Sequence, residues 1–194
     1  IKKPDCHLKK LTGRKFTIIG SKFDTAPKKA VKIIMLNPPV ENDLMTSVPE
    51  LMKYISQNTN ERFITFVDSR KQTEYFASIT GRIMDFSDGS SEEKNLVVDE
   101  NLEILPYRSG YERDDRQRIQ QKLTEGRLKG VISTSALEMG LDIAHLTMGI
   151  LLGIPNSLTS FYQRIGRVGR HQEGTIIIIN NGTINTKKIF QEPD

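Results

Sequence analysis

Short apolar runs and longer polar stretches alternate along this chain with a nearly regular beat. Val31–Leu36 (VKIIML) is a short strand signal, stopped by Asn37-Pro38-Pro39 because proline cannot donate to a sheet ladder. Leu44, Val48, Leu51, Met52 and Ile55 then recur at helical spacing. They predict a helix to about Gln57, capped by Asp43 or Thr46. Arg62–Val67 (RFITFV) reads as a buried strand, followed at once by Asp68-Ser69-Arg70 and a helix from about Lys71 to Ile79 that buries Tyr75, Phe76 and Ile79. Strand signals return at Leu102–Leu105, Leu128–Ser133, Leu146–Leu152 and Gly174–Ile179. Helical patterns fill the gaps: Glu112–Glu125, a short piece from Thr134 to Met139 that stops at Gly140, and Ser157–Ile165. The pairs Glu112/Arg116 and Asp114/Arg118 sit four apart and mark a solvated helix face.

Strands that alternate with helices, several of them continuously apolar, predict an α/β fold with a mostly parallel central sheet covered on both faces. In such sheets ligands gather at the carboxyl ends of the strands. Asp68-Ser69-Arg70, Tyr107-Arg108-Ser109-Gly110 and Ser133-Thr134-Ser135 all follow strands, so one rim is expected to carry all three. The domain proper spans 31–180, with a probable insertion or hairpin at 81–99. Residues 1–30, basic and broken by Pro4, Gly13, Gly20 and Pro27, are expected to form a connector along the domain's edge or a partly ordered tail, with only Lys15–Ile19 strand-like. Asn181-Gly182 is a turn, and 181–194 reads as a tail.

Composition narrows the chemistry. At 194 residues the chain suits one domain with a real core, and 37% hydrophobic with 27% charged residues excludes a disordered chain. One cysteine, Cys6, excludes an internal disulfide framework, and three scattered histidines argue against a metal centre. No apolar run approaches the ~20 residues that span a bilayer, and IKKPDCHLKK lacks a signal-peptide core, so a cytoplasmic setting without membrane partners is expected. The net charge of +4 permits nucleic-acid binding, and its clustering at Arg164–His171 says more than its size.

That cluster, Gln163 to Arg170, spaces three arginines three apart with Gly166 and Gly169 just before the last two. Two glycines in so short a span are costly in an ordinary helix, at about 1 kcal/mol each relative to alanine. Arginines on a backbone that permits close approach suit a polyphosphate, because guanidinium grips phosphate oxygens bidentately.

Together these blocks resemble the second RecA-like domain of superfamily 2 helicases. Phe66–Arg70 is similar to helicase motif IV, Ser133–Ile143 to motif V and Gln163–Arg170 to motif VI, in the right order. Tyr107–Tyr111 with Asp115-Arg116, His7–Gly13 and Asn37-Pro38-Pro39 resemble the DNA-repair branch of DExH-type helicases, some of whose members serve anti-phage defence.

The resemblance implies a RecA-like three-layer fold and a role as one half of an ATP-driven motor on DNA, with RNA left open as the track. It implies that Arg167 and Arg170 stabilise the transferring phosphoryl group as arginine fingers. Gln163 would help position the nucleotide, and Asp142, after Gly140, would accept from the ribose hydroxyl. Ser69, Arg70, Arg108, Ser109, Gly110, Ser133 and Thr134 would meet nucleic-acid phosphates. Leu96–Glu100 imitates the acidic strand of a nucleotide site, but the chain has no Gly-Lys pair and hence no phosphate loop. ATP and Mg²⁺ are therefore expected to need a first RecA-like domain that precedes residues 1–30, and this chain alone is expected to hydrolyse nothing. The alternative is a degenerate RecA-like module whose arginines only hold nucleic acid. An ordinary nucleotide-binding α/β enzyme is a third reading, with no recognisable nucleophile to support it.

Overall fold

The computed structural model describes residues 3–23, 29–84, 103–107, 113–137 and 146–191. Its centre is one six-stranded sheet: β1 (Val31–Leu36), β2 (Phe63–Phe66), β3 (Ile104–Tyr107), β4 (Gly130–Ser133), β5 (Met148–Leu152) and β6 (Gly174–Ile179). The order across the sheet is β1-β6-β5-β2-β4-β3, and every neighbouring pair is parallel. The architecture expected from the apolar runs is present. Six α-helices accompany the sheet among the described residues: α1 (Pro4–Thr12), α2 (Leu44–Asn58), α3 (Arg70–Met84), α4 (Arg113–Thr124), α5 (Leu158–Ile165) and α6 (Ile184–Gln191).

Period-two alternation divides the strand side chains between two cores. On one face Phe63, Ile132, Ile150 and Ile179 pack with Val48, Met52 and Ile55 of α2 and Phe76 of α3. On the other, Ile64, Phe66, Val131, Leu151 and Ile176 pack with Ile119 and Leu123 of α4, and Phe161 and Ile165 of α5 lean on that cluster. The central strands β2 and β4 are buried along their whole length. Parallel strands covered on both faces have no need of polar alternation.

Three local expectations need correction. Tyr75 is exposed, since the buried stripe of α3 runs through Thr73, Phe76, Ala77 and Thr80 instead. The strand expected at Val31–Leu36 forms with those bounds and lies at the sheet's edge, with Ile33 and Met35 open to solvent. Residues read as a tail form α6, whose Thr186 is fully buried and whose Phe190 leans on the core. Within 1–30, the helical residues are Pro4–Thr12, where proline starts a helix readily, while Lys15–Ile19 forms no strand. None of the residues of α1 is buried. Most of the 81–99 stretch lies outside the described residues, apart from the last turn of α3.

Candidate nucleotide and nucleic-acid interface

β2 delivers Asp68-Ser69-Arg70 to the carboxyl rim of the sheet. Val67 N–H donates to the Ser133 carbonyl (2.9 Å), so the ends of β2 and β4 stay in register. Ser69 then caps α3. Its Oγ accepts from Gln72 N–H (3.2 Å), and Gln72 Oε1 accepts from the amides of Ser69 and Asp68 (3.2 Å each). This reciprocal Ser-x-x-Gln arrangement is a capping box. The amides offered to a phosphate by the sequence pattern are thus turned onto a side chain of the same helix. Arg70, at the first helical position, is exposed.

β4 ends in Ser133, which is fully enclosed, and its Oγ has no hydrogen-bond partner. A buried hydroxyl left unpaired costs about 1–3 kcal/mol. Thr134 is half-buried and Ser135 exposed, at the head of a tight 3-10 turn ending at Leu137. Of the Ser133-Thr134 pair, only Thr134 reaches the surface. Gly140, Asp142, Arg108, Ser109 and Gly110 lie outside the described residues.

β5 leads through Gly153–Ser157 into α5, where Ser157 Oγ accepts from Ser160 N–H (3.2 Å) as the cap. The helix carries Gln163, half-buried, and Arg164, only 7% exposed. The Arg164 guanidinium lies over the Phe66 ring, 5.2 Å from its centroid. It also sits beside Asp68. Burial pushes the Asp68 carboxyl above its ordinary pKa, against the opposing pull of the Arg164 charge and of a hydrogen bond from Asn181. One buried cation thus joins α5, which leads into the arginine cluster, to Phe66 of β2 and to Asp68 in the turn before α3.

After Ile165 the chain unwinds. Gly166 N–H bonds Tyr162 O (2.9 Å), and a Cβ on Gly166 would lie 2.9 Å from that same carbonyl. Val168 dips into the core, and Gly169, at φ +74°, hands its N–H to Leu146 O (3.1 Å) at the entrance to β5. Both glycines are therefore explained by the chain packing on itself, a cause the spacing alone did not reveal. The two outer arginines differ. Arg167 is 9% exposed, whereas Arg170 is exposed, with its Nε donating to Gly166 O (2.9 Å). That bond orients the planar guanidinium without enclosing it.

The spacing-based reading missed Gln72 and Asn181. Gln72 was legible as the partner three residues after a capping serine. Asn181 was read only as a turn residue, and nothing local in its sequence points back to Asp68. Among the described residues, no group of three or more His, Cys, Asp or Glu is placed to hold a metal ion. No helix among them is long and apolar enough to cross a membrane.

Comparison with known proteins identifies the family of the chain. Residues 46–172 match the family model described as the helicase conserved C-terminal domain. The chain is 32% identical over 188 residues to the ATP-dependent helicase HRQ1 of Saccharomyces cerevisiae, covering 92% of this chain and 16% of that protein. It is 32% identical over 187 residues to the uncharacterized ATP-dependent helicase YprA of Bacillus subtilis, covering 95% and 24%. In the crystal structure of the DUF1998 helicase MrfA bound to DNA, a 30% identical region superposes with a TM-score of 0.80, covering all of this chain and 25% of that one. The chain thus spans a quarter or less of the length of these relatives.

Proposed function

Because this chain belongs to the helicase conserved C-terminal domain family, shared by ATP-dependent helicases, we propose that it is the second motor domain of an ATP-driven DNA helicase or translocase. The observation that carries the proposal is Arg170: an exposed guanidinium, aimed by a backbone carbonyl, in the loop after a helix that Arg164 holds to the rim. A planar, permanently charged fork held in this way suits the charge that spreads over a transferring phosphoryl group. Gln163, on the same helix, helps seat the nucleotide, and Asp142 takes the ribose hydroxyl. Arg167, nearly enclosed, holds the loop and reaches phosphate when the cleft closes. Mg²⁺ and the phosphate loop that the chemistry needs are assigned to a preceding RecA-like domain of the same polypeptide, since this chain has no Gly-Lys pair.

The nucleic-acid contacts fall on the other part of the rim. Arg70, Ser69 and Thr134 meet strand phosphates, joined by Arg108, Ser109 and Gly110, while Ser133 supports Thr134 from beneath. Phosphate contacts hold a strand without reading its sequence, so little sequence preference is expected. DNA is favoured as the track because the DNA-bound relative matches the whole chain. DNA repair and defence against phage are the settings this branch suggests.

Assaying residues 1–194 alone for ATP hydrolysis, with and without single-stranded DNA, tests the division of labour. The expected result is no turnover above background. DNA-stimulated hydrolysis by this chain alone would overturn the two-domain reading.

A further inference from the structure

Asn181 stands just past β6, outside every block that pointed to function. Its carboxamide is nonetheless fully used. Nδ2 donates to Asp68 Oδ2 (3.3 Å) and, more weakly, to the Leu152 carbonyl (3.4 Å). Oδ1 accepts from Thr183 N–H (3.2 Å) and Thr183 Oγ1 (2.8 Å). Thr183 Oγ1 is also hydrogen-bonded to Thr186 Oγ1 (2.9 Å), which accepts from Ile154 N–H (3.0 Å). One side chain therefore ties together the carboxyl ends of β2, β5 and β6 and the first turn of α6.

The neighbouring backbone makes room for it. Gly153 has φ +87°, a conformation that side chains rarely adopt, and a Cβ there would collide with the Asn181 carboxamide. Asn181, Asp68 and Arg164 also line one hollow of about 540 Å³ at the rim. A surface turn needs none of these features. Asn181 Oδ1 alone would complete the turn with Thr183, so the bond from Nδ2 to Asp68 is an addition to it.

We propose that Asn181 is a positioning residue for the strand-contact loop. By holding Asp68 Oδ2 it fixes the Asp68-Ser69-Arg70 turn against the sheet, and so presents the Arg70 guanidinium and the start of α3 to the strand in one geometry. The proposal rests on the reading of that loop as a phosphate contact.

The test uses the full-length polypeptide that carries this chain. DNA-stimulated ATPase is titrated with oligothymidylate, giving the DNA concentration for half-stimulation and the saturated rate separately. Asn181→Asp keeps the acceptor for Thr183 but sets a carboxylate against Asp68. Half-stimulation is expected to need about tenfold more DNA, the scale of a lost hydrogen bond to a charged group, while the saturated rate stays the same. The reciprocal double variant Asp68→Asn/Asn181→Asp rebuilds a donor–acceptor pair in reverse and is expected to restore half-stimulation. An unchanged half-stimulation in Asn181→Asp, or a fall in the saturated rate that the double variant does not repair, overturns the proposal. Arg70→Ala separates the two levels. If it leaves half-stimulation unchanged, the phosphate-contact reading of the loop itself fails. If it weakens DNA use and Asn181→Asp does not, only the role of Asn181 fails.

Discussion

Arg164→Met asks what a nearly enclosed cation does at the meeting point of the arginine helix and the strand-contact loop. Methionine keeps an unbranched apolar stem and removes only the charge and the donors. The contact with the Phe66 ring is worth about 0.5–2 kcal/mol, towards the upper end where the cation is desolvated. The pairing with Asp68 adds less, about 1 kcal/mol at most, because Asp68 keeps its outer side in water. Together the loss is about 1–3 kcal/mol. For a chain of this size each kcal/mol moves the melting temperature by roughly 2–4 °C, so a fall of about 2–12 °C in a calorimetric or circular-dichroism melt is expected. The opposite outcome is physically available, because burying an arginine costs desolvation and an apolar replacement can stabilise. A melting temperature equal to or above wild type would refute the view that this cation holds the helix to the rim. The pH dependence supplies a second check. The folded state binds the Asp68 proton more tightly than the unfolded chain does, so Asp68 weakens stability as pH rises from the ordinary carboxylate range through its raised folded pKa. Removing Arg164 removes an influence that lowers that pKa, so the deficit of the variant should shrink as pH falls.

Ser133→Ala deletes a buried hydroxyl that has no partner, so melting is expected unchanged or higher by a few degrees, and a clear fall would mean that the hydroxyl is bonded after all. Ser69→Ala dismantles the capping box of α3 and should cost about 0.5–2 kcal/mol in urea unfolding; an unchanged midpoint would show that Gln72 alone closes the helix.

The fold was legible because its strands are short, apolar and separated by turn residues. RFITFV and GTIIII announce burial on both faces, and the cap at Asp43 was visible beside the apolar stripe of α2. What escaped was set by distant packing. INTKKIF has too weak a pattern to announce a helix, yet α6 is held by Thr186 and Phe190 against elements far away in sequence. The arginine cluster was legible as a block, but not the different exposures of its members. Val168 and Arg167 are buried, whereas Arg170 is exposed. The link from Asn181 to Asp68 spans 113 residues, and no local pattern encodes it.

The central claim is that Arg170 acts on the transferring phosphate. The most direct measurement is DNA-stimulated ATPase of the full-length polypeptide in wild type, Arg170→Ala and Arg170→Lys, with single-stranded DNA affinity measured on the same samples. The expected result is a loss in turnover of about a hundredfold or more in both variants, since lysine cannot reproduce the planar fork, with DNA affinity retained. Turnover that survives while DNA affinity falls would contradict it, and would make the arginine cluster a grip on nucleic acid.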